Sequence, residues 1–298
     1  MCGIVGLYAK TRSVSDNLGS HVAAMLIQMG ERGPDSAGAA FYADGPGQSK
    51  VTIQHEDSTV LDDVITKATA TLSGVTVRSR GNHRVIESSQ SGDETTRWVA
   101  EHFPDVRIMS SGERIEIYKE KGHPREFVDA YQLDDISGSH ALAHTRMATE
   151  SAITTSHSHP FSTGLDLCLV HNGSLSNHNR LRTSLQKEGI EFQTDNDSEV
   201  AAGYLTWRLM QGDTLKQALT AALRDLDGFY TFAIGTRNGF AVLRDPIACK
   251  PAVLAETDDW VAMASEYRAI AQLPGADKAR VWEPEPAQIY SWEAGQAA

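Results

Sequence analysis

Met1-Cys2-Gly3-Ile4-Val5-Gly6 begins a run, residues 2–8, that reads as a short buried strand. A strand starting at the second residue leaves a cysteine first in line once a single methionine is removed. That position would give the Cys2 thiol something no internal cysteine has, an α-amine on its own Cα. A free thiol has a pKa of about 8.5 and an α-amine one of about 7.7–8.0, so near neutrality much of the amine is unprotonated. It can take the thiol proton directly or through one water, and one residue then supplies both nucleophile and base. The plain alternative is that Cys2 is a small buried apolar residue on a first strand.

Outward from this strand, Val14, Leu18, Val22, Leu26 and Met29 recur at helical spacing over 13–33, with Gly33-Pro34 as the stop. Residues 37–42 are apolar and aromatic enough for a second strand. The stretch 44–138 is different: it opens on a Gly-Pro-Gly turn and alternates helix-like segments (59–73, 93–103, 125–134) with short strands (105–109, 114–119). It reads as an inserted unit with its own small α/β packing, so the expected organisation is one domain over 2–298 interrupted at about 44–138. Beyond it, 140–146, 165–171, 228–235, 239–243, 252–255 and 260–264 read as strands, several with the continuous apolar character of buried ones. Helices are expected at about 177–187, 197–211 and 213–225. Strands with helices clustered between them predict sandwiched layers rather than alternating βαβ units, an α+β fold.

Composition excludes several functions. Hydrophobic residues make up 41% and charged residues 22% of 298, ordinary for a globular protein of one large domain. No apolar run approaches the ~18 residues a membrane helix needs, so no membrane partner is expected. Three cysteines (Cys2, Cys168, Cys249) form neither a disulfide framework nor a paired metal motif, which predicts a reduced, cytoplasmic protein. A net charge of −12 with no basic stretch argues against nucleic acid. His157-x-His159, in a region that also holds His144, His171 and His178, could ligate zinc, but no carboxylate or cysteine falls at a convincing spacing, and no metal is expected.

Five polar clusters fall at strand ends and in turns, where sites are usually built. Arg32-Gly33-Pro34-Asp35-Ser36-Ala37-Gly38 is a tight turn. His144-Thr145-Arg146-Met147-Ala148-Thr149 ends a strand with a guanidinium able to grip a carboxylate in bidentate fashion. His171-Asn172-Gly173-Ser174 sets an amide side chain beside a glycine N–H, a pairing suited to an oxyanion hole. Asp195-Asn196-Asp197-Ser198-Glu199 opens a helix with carboxylates that could meet a substrate ammonium, although Asp197 could equally be only a helix N-cap. Ala264-Ser265-Glu266 ends a late strand. Singly, each has a structural reading. Together they supply a nucleophile with its base, oxyanion donors, a carboxylate grip and an amine grip, the complete set for acyl transfer from an amino acid amide.

In this order, Cys-Gly-Ile-Val-Gly, Arg-Gly-Pro-Asp-Ser-Ala-Gly, His-Thr-Arg-x-Ala-Thr, His-Asn-Gly, Asp-Ser-Glu and Ala-Ser-Glu resemble the class II glutamine amidotransferases, N-terminal-nucleophile (Ntn) hydrolases with a four-layer αββα fold. The resemblance covers about 2–42 and 139–292. It implies that Cys2 attacks the side-chain amide of L-glutamine, that a γ-glutamyl thioester forms, and that ammonia and then glutamate leave. It also implies that Arg146 holds the glutamine α-carboxylate and Asp197 its α-amine. Asn172 and Gly173 match the oxyanion hole, Arg32 sits beside the nucleophile, and Thr149 matches a substrate contact. Two departures stand out: Met147 where several members carry an aromatic residue, and Glu150-Ser151 in place of a common His-Gly pair.

The recognised fold reaches nearly to Ala298, so the ammonia acceptor is expected on a partner synthase subunit. Length and organisation look most like the amidotransferase subunits of glutamate-synthase-like complexes, of the kind associated with N-methylglutamate synthase. No cofactor is expected in this chain, with flavin and iron–sulfur chemistry in the partners. The rival readings are a non-catalytic regulatory or scaffold subunit of such a complex, and an N-terminal-cysteine amidase acting on bile-acid or penicillin-type amides.

Overall fold

Strand Gly3–Ala9 is buried on both faces, and its side chains divide between two cores by simple alternation. Ile4 points into the space between two sheets, while Val5 and Leu7 point the other way, against helices. The computed structural model describes residues 2–43, 48–147 and 154–293. In it this strand lies within a seven-stranded sheet ordered Arg280–Trp282, Val253–Glu256, Trp260–Ala264, Gly3–Ala9, His140–Arg146, Ser36–Tyr42, Ile115–Lys121. Every pairing is antiparallel.

A second antiparallel sheet faces it, ordered Ile289–Glu293, Gly239–Arg244, Gly228–Thr236, Leu167–Leu175, Phe161–Gly164. Between the sheets Ile4, Leu142, Tyr42 and Met263 meet Val170, Phe240 and Val242. Helices Leu18–Gln28, Pro124–Tyr131 and Tyr267–Ile270 pack Leu26, Phe127 and Ile270 on the outer face of the first sheet. Helices His178–Lys187, Asp197–Met210 and Leu215–Asp225 pack Leu185, Leu205 and Leu219 on the outer face of the second. The layers run helix, sheet, sheet, helix, the four-layer αββα sandwich that the resemblance implies.

The single helix expected over 13–33 is two, Arg12–Ser15 and Leu18–Gln28, followed by a turn that closes at Gly33. The strand expected to stop at residue 171 runs to Leu175, so Asn172 and Gly173 lie within a strand rather than beyond its end. Both pair with the neighbouring strand, Asn172 opposite Thr231 and Gly173 opposite Tyr230.

The stretch 44–138 contributes to two bodies. Strands Thr76–Arg80, His83–Ser88, Ser49–Gln54 and Arg107–Gly112 form a separate four-stranded sheet, with Leu61, Val64 and Val99 of helices Ser58–Thr71 and Gly92–His102 in its core. Ile115–Lys121, by contrast, is the edge strand of the seven-stranded sheet, because Ile115 and Ile117 alternate into the inter-sheet core while Tyr118 joins the helix side. The separate packing therefore ends near residue 112, earlier than the sequence reading placed it. Asp166 fastens the junction: its carboxylate accepts from the backbone N–H groups of Glu113, Arg114 and Ile115 at 2.8–3.1 Å.

Candidate active site

Cys2 directly precedes the central strand, and two neighbouring strand ends and a turn converge on it. Gly3 lies opposite Thr145 and Ile4 opposite His144, which brings Arg146 and Met147 alongside. On the other flank Ser265 closes back on the same strand, its N–H donating to the Ile4 carbonyl at 3.0 Å and its Oγ accepting from the Ile4 N–H at 2.9 Å. The turn carrying Arg32 is pressed against the strand end: a Cβ on Gly33 would stand 2.5 Å from the Arg146 nitrogen, so only glycine fits.

Cys2, Arg32, Arg146, Asn172, Gly173 and Asp197 all line one cleft of about 330 Å³. Thr149 lies outside the described residues. The Cys2 carbonyl accepts two hydrogen bonds, from Arg32 Nε at 3.0 Å and Asn172 Nδ2 at 3.2 Å. Its Sγ lies 3.9 Å from the Met147 carbonyl. Arg32 is held in turn by Glu266, with Nη1 2.5 Å from Oε1. The late-strand cluster Ser265-Glu266 thus finds its place as the support of the nucleophile strand and of Arg32.

Asn172 is fixed at both ends of its amide. Nδ2 also donates to Ser265 Oγ at 3.2 Å, and Oδ1 lies 3.1 Å from His144 Nε2. Gly173 has φ of +149°, and a Cβ there would stand 1.9 Å from the Phe229 carbonyl oxygen. Asp197 is not the N-cap of its helix. Asn196 takes that role, accepting from the Ser198 N–H at 2.8 Å, and Asp197 is left to turn its carboxylate into the cleft. One oxygen, Oδ2, accepts from the Leu175 N–H at 2.8 Å, and the other stands 3.3 Å from Ser198 Oγ and 4.0 Å from His171 Nδ1.

His159 and His171 also line the cleft, and with His144 they make a group of three buried imidazoles. Ser198 Oγ bridges two of them, 2.9 Å from His159 Nε2 and 2.8 Å from His171 Nδ1, while the His144 and His159 ring centroids lie 4.1 Å apart. Burial depresses all three pKa values, to about 3 for His144 and about 4 for His171, and well down for His159. For His171 the nearby Asp197 opposes the shift and Lys250 adds to it. The rings are therefore neutral at physiological pH. His157 is not part of this group: it bonds Asp195 Oδ1 at 2.9 Å and Thr154 Oγ1 at 2.7 Å. Among the described residues no three His, Cys, Asp or Glu side chains converge as a metal site.

The sequence reading missed Lys250 and Pro251, which complete the cleft wall, with Lys250 Nζ 5.0 Å over the Phe229 ring. Nothing in Cys249-Lys250-Pro251 signals this, since a lysine before a proline reads as an ordinary turn. It also missed Ser198 as a bridge, although its position after Asp197 in a helix first turn places it near the cleft.

The profile of a family described as "Glutamine amidotransferase domain" matches residues 144–272. Over its whole length the chain is 52% identical, across 302 residues and 100% of both chains, to the glutamine amidotransferase-like protein GlxB of Rhizobium meliloti (strain 1021). The chain belongs to the class II glutamine amidotransferase family. A putative glutamine amidotransferase of Methanothermobacter thermautotrophicus is 30% identical over 97% of this amidotransferase and 99% of the relative. Among solved structures, a glutamine phosphoribosylpyrophosphate amidotransferase from B. subtilis superposes with a TM-score of 0.64 at 21% identity. It covers 98% of this chain, which spans 47% of that longer one, and the likeness is one of fold.

Proposed function

We propose that the cleft is a glutaminase site and that Cys2, with its α-amine freed by removal of Met1, is the nucleophile. The observation that carries this reading is the convergence of Cys2, Arg32, Arg146, Asn172, Gly173 and Asp197 on one cavity of about 330 Å³. The amine takes the thiol proton, and Sγ attacks the side-chain carbonyl carbon of L-glutamine. The oxyanion is met by Asn172 Nδ2 and the Gly173 N–H, donors that need no reorganisation as charge develops. Collapse breaks the C–N bond. The proton held by the amine passes to the leaving nitrogen, ammonia departs and a γ-glutamyl thioester remains. Water then attacks the thioester, releasing glutamate and restoring the thiol. Arg146 receives the α-carboxylate and Asp197 the α-ammonium, which together select an amino acid amide over other amides. Arg32 holds the Cys2 carbonyl and so fixes the Cα from which thiol and amine project.

The ammonia goes, in this reading, to a synthase on a partner polypeptide in the cytoplasm, of the glutamate-synthase or N-methylglutamate-synthase kind, with any flavin or iron–sulfur chemistry on that partner. Supporting this is the end-to-end match with two relatives of its own length. Among the described residues no helix is long and apolar enough to cross a membrane.

Cys2→Ala should abolish release of ammonia from glutamine while the melting curve stays within a degree or two of the parent. Retained turnover would sink the mechanism. Hydrolysis of acylated amides in preference to glutamine would favour the rival amidase. A protein that has lost Met1 yet resists an electrophilic glutamine analogue, with its partners present, would be a non-catalytic subunit.

A further inference from the structure

A carboxamide has two ends of nearly equal size and opposite chemistry. Only the NH₂ end can stabilise an oxyanion, and the oxygen end presented to the same atom would repel it. What decides which way round Asn172 sits is therefore part of the site. Its three contacts differ in how well they discriminate. Ser265 Oγ, 3.2 Å from Nδ2, is a hydroxyl and can donate or accept, so it fits either orientation. The Cys2 carbonyl, 3.2 Å from Nδ2, accepts only and favours the NH₂ end, but this N–H is the one an oxyanion beside the thiol would draw away. The remaining contact is His144, with Nε2 3.1 Å from Oδ1.

We propose that His144 is a positioning residue whose Nε2–H holds the Asn172 oxygen away from the nucleophile and so keeps the NH₂ end turned toward it. The catalytic consequence rests on the glutaminase reading; the geometry does not. His144 is suited to the task because its ring is neutral and carries one N–H. With the hydrogen on Nδ1, a buried donor would lack a hydrogen bond of good geometry, and two lone pairs would face each other across 3.1 Å. The Nε2–H tautomer avoids both. The ring plane is held by the His159 ring, 4.1 Å away between centroids, and the backbone by pairing on both sides, with Ile4 in one strand and Gly38 in the other.

The test is a double-mutant cycle on glutamine hydrolysis. Asn172→Ala should cost ~100- to 1000-fold in kcat, as loss of one oxyanion donor does. His144→Phe should cost about tenfold or more in kcat with KM within about twofold, and in the Asn172→Ala background it should cost less than about twofold more. His144→Gln, which restores an N–H donor, should recover most of the loss. Equal factors for His144→Phe in both backgrounds would overturn the proposal, as would failure of both His144 variants to melt cooperatively, which would make the ring a packing group. Independently of activity, ¹⁵N NMR should find His144 as the Nε2–H tautomer at neutral pH, and an Nδ1–H tautomer would overturn it. Absence of glutamine turnover in the parent protein would remove the glutaminase reading while leaving the tautomer to be decided on its own.

Discussion

Gly173 carries two demands in one residue. It occupies a φ of +149° inside a paired strand, and it keeps the space between the Phe229 carbonyl and His171 Nε2 free of side chain. An alanine would have to move backbone, not a flexible side-chain tip. Gly173→Ala should therefore lower stability by about 3 kcal/mol, visible as a drop in the urea midpoint, and lower kcat about 100-fold by shifting the N–H it offers to an oxyanion. A fall in stability with kcat intact would separate the strand's geometry from the chemistry. At this scale much was legible from the chain. Cysteine, arginine, amide-plus-glycine and aspartate are each suited to one part of an amino acid amide, and the six that are described share one cleft. Lys250 was not legible, because its place in the cleft wall depends on how a turn lies against the strand that carries Phe229. The histidines signalled a metal or nothing. Their actual arrangement, neutral rings shared through a serine hydroxyl, leaves no periodic trace.

The four-stranded sheet is held to the edge of the seven-stranded one by charge. Glu116 on strand Ile115–Lys121 receives Lys50 at 2.9 Å from strand Ser49–Gln54 and Arg78 at 2.5 Å from strand Thr76–Arg80. Burial alone would raise the Glu116 pKa, but the two cations overcome it and hold it at about 2. A carboxylate depressed in the folded state gives stability that is present above its unfolded pKa and is lost as pH falls toward the folded value, here from about 4.5 to about 2. Glu116→Gln should therefore flatten the pH dependence of stability in that window, and limited proteolysis should open the 49–112 sheet first. An unchanged acid profile would mean that the cations are compensated by solvent. Strands 49–54, 76–80 and 83–88 escaped the sequence reading. In Ser49–Gln54 the polar Lys50, Thr52 and Gln54 are buried along with Val51 and Ile53, so the alternation is present but its polar half does not mark a solvent face. The strands of the main sandwich, buried on both faces by apolar side chains, were legible for the opposite reason.

At the scale of the molecule, five histidines among the described residues (His83, His140, His144, His159 and His171) are buried with depressed pKa values, burial being the first cause in each. A base with a lowered folded pKa binds fewer protons folded than unfolded between the two values. Stability then falls as pH drops below about 6.5, by up to about 1.4 kcal/mol per pH unit for each ring, down to about 3–4 for His83, His140, His144 and His171. The protein should lose melting temperature well before its carboxylates titrate, with a clear decline between pH 7 and 5 in a series of thermal melts. A flat Tm over that range would show that the rings are reached by solvent. Overall layering was readable from the order of strands and helices, but the assignment of Ile115–Lys121 to the main sheet was not. A strand's partner is chosen by three-dimensional neighbours, and its own alternation fits either sheet.

The position of Cys2 also bears on how the protein is prepared. Cys2 stands directly before Gly3, the first paired residue of the central strand, and lines the cleft. On the glutaminase reading, an amino-terminal affinity tag left in place keeps the Cys2 α-amine from being freed, and a preparation carrying one should show no glutamine turnover whatever the state of its other residues.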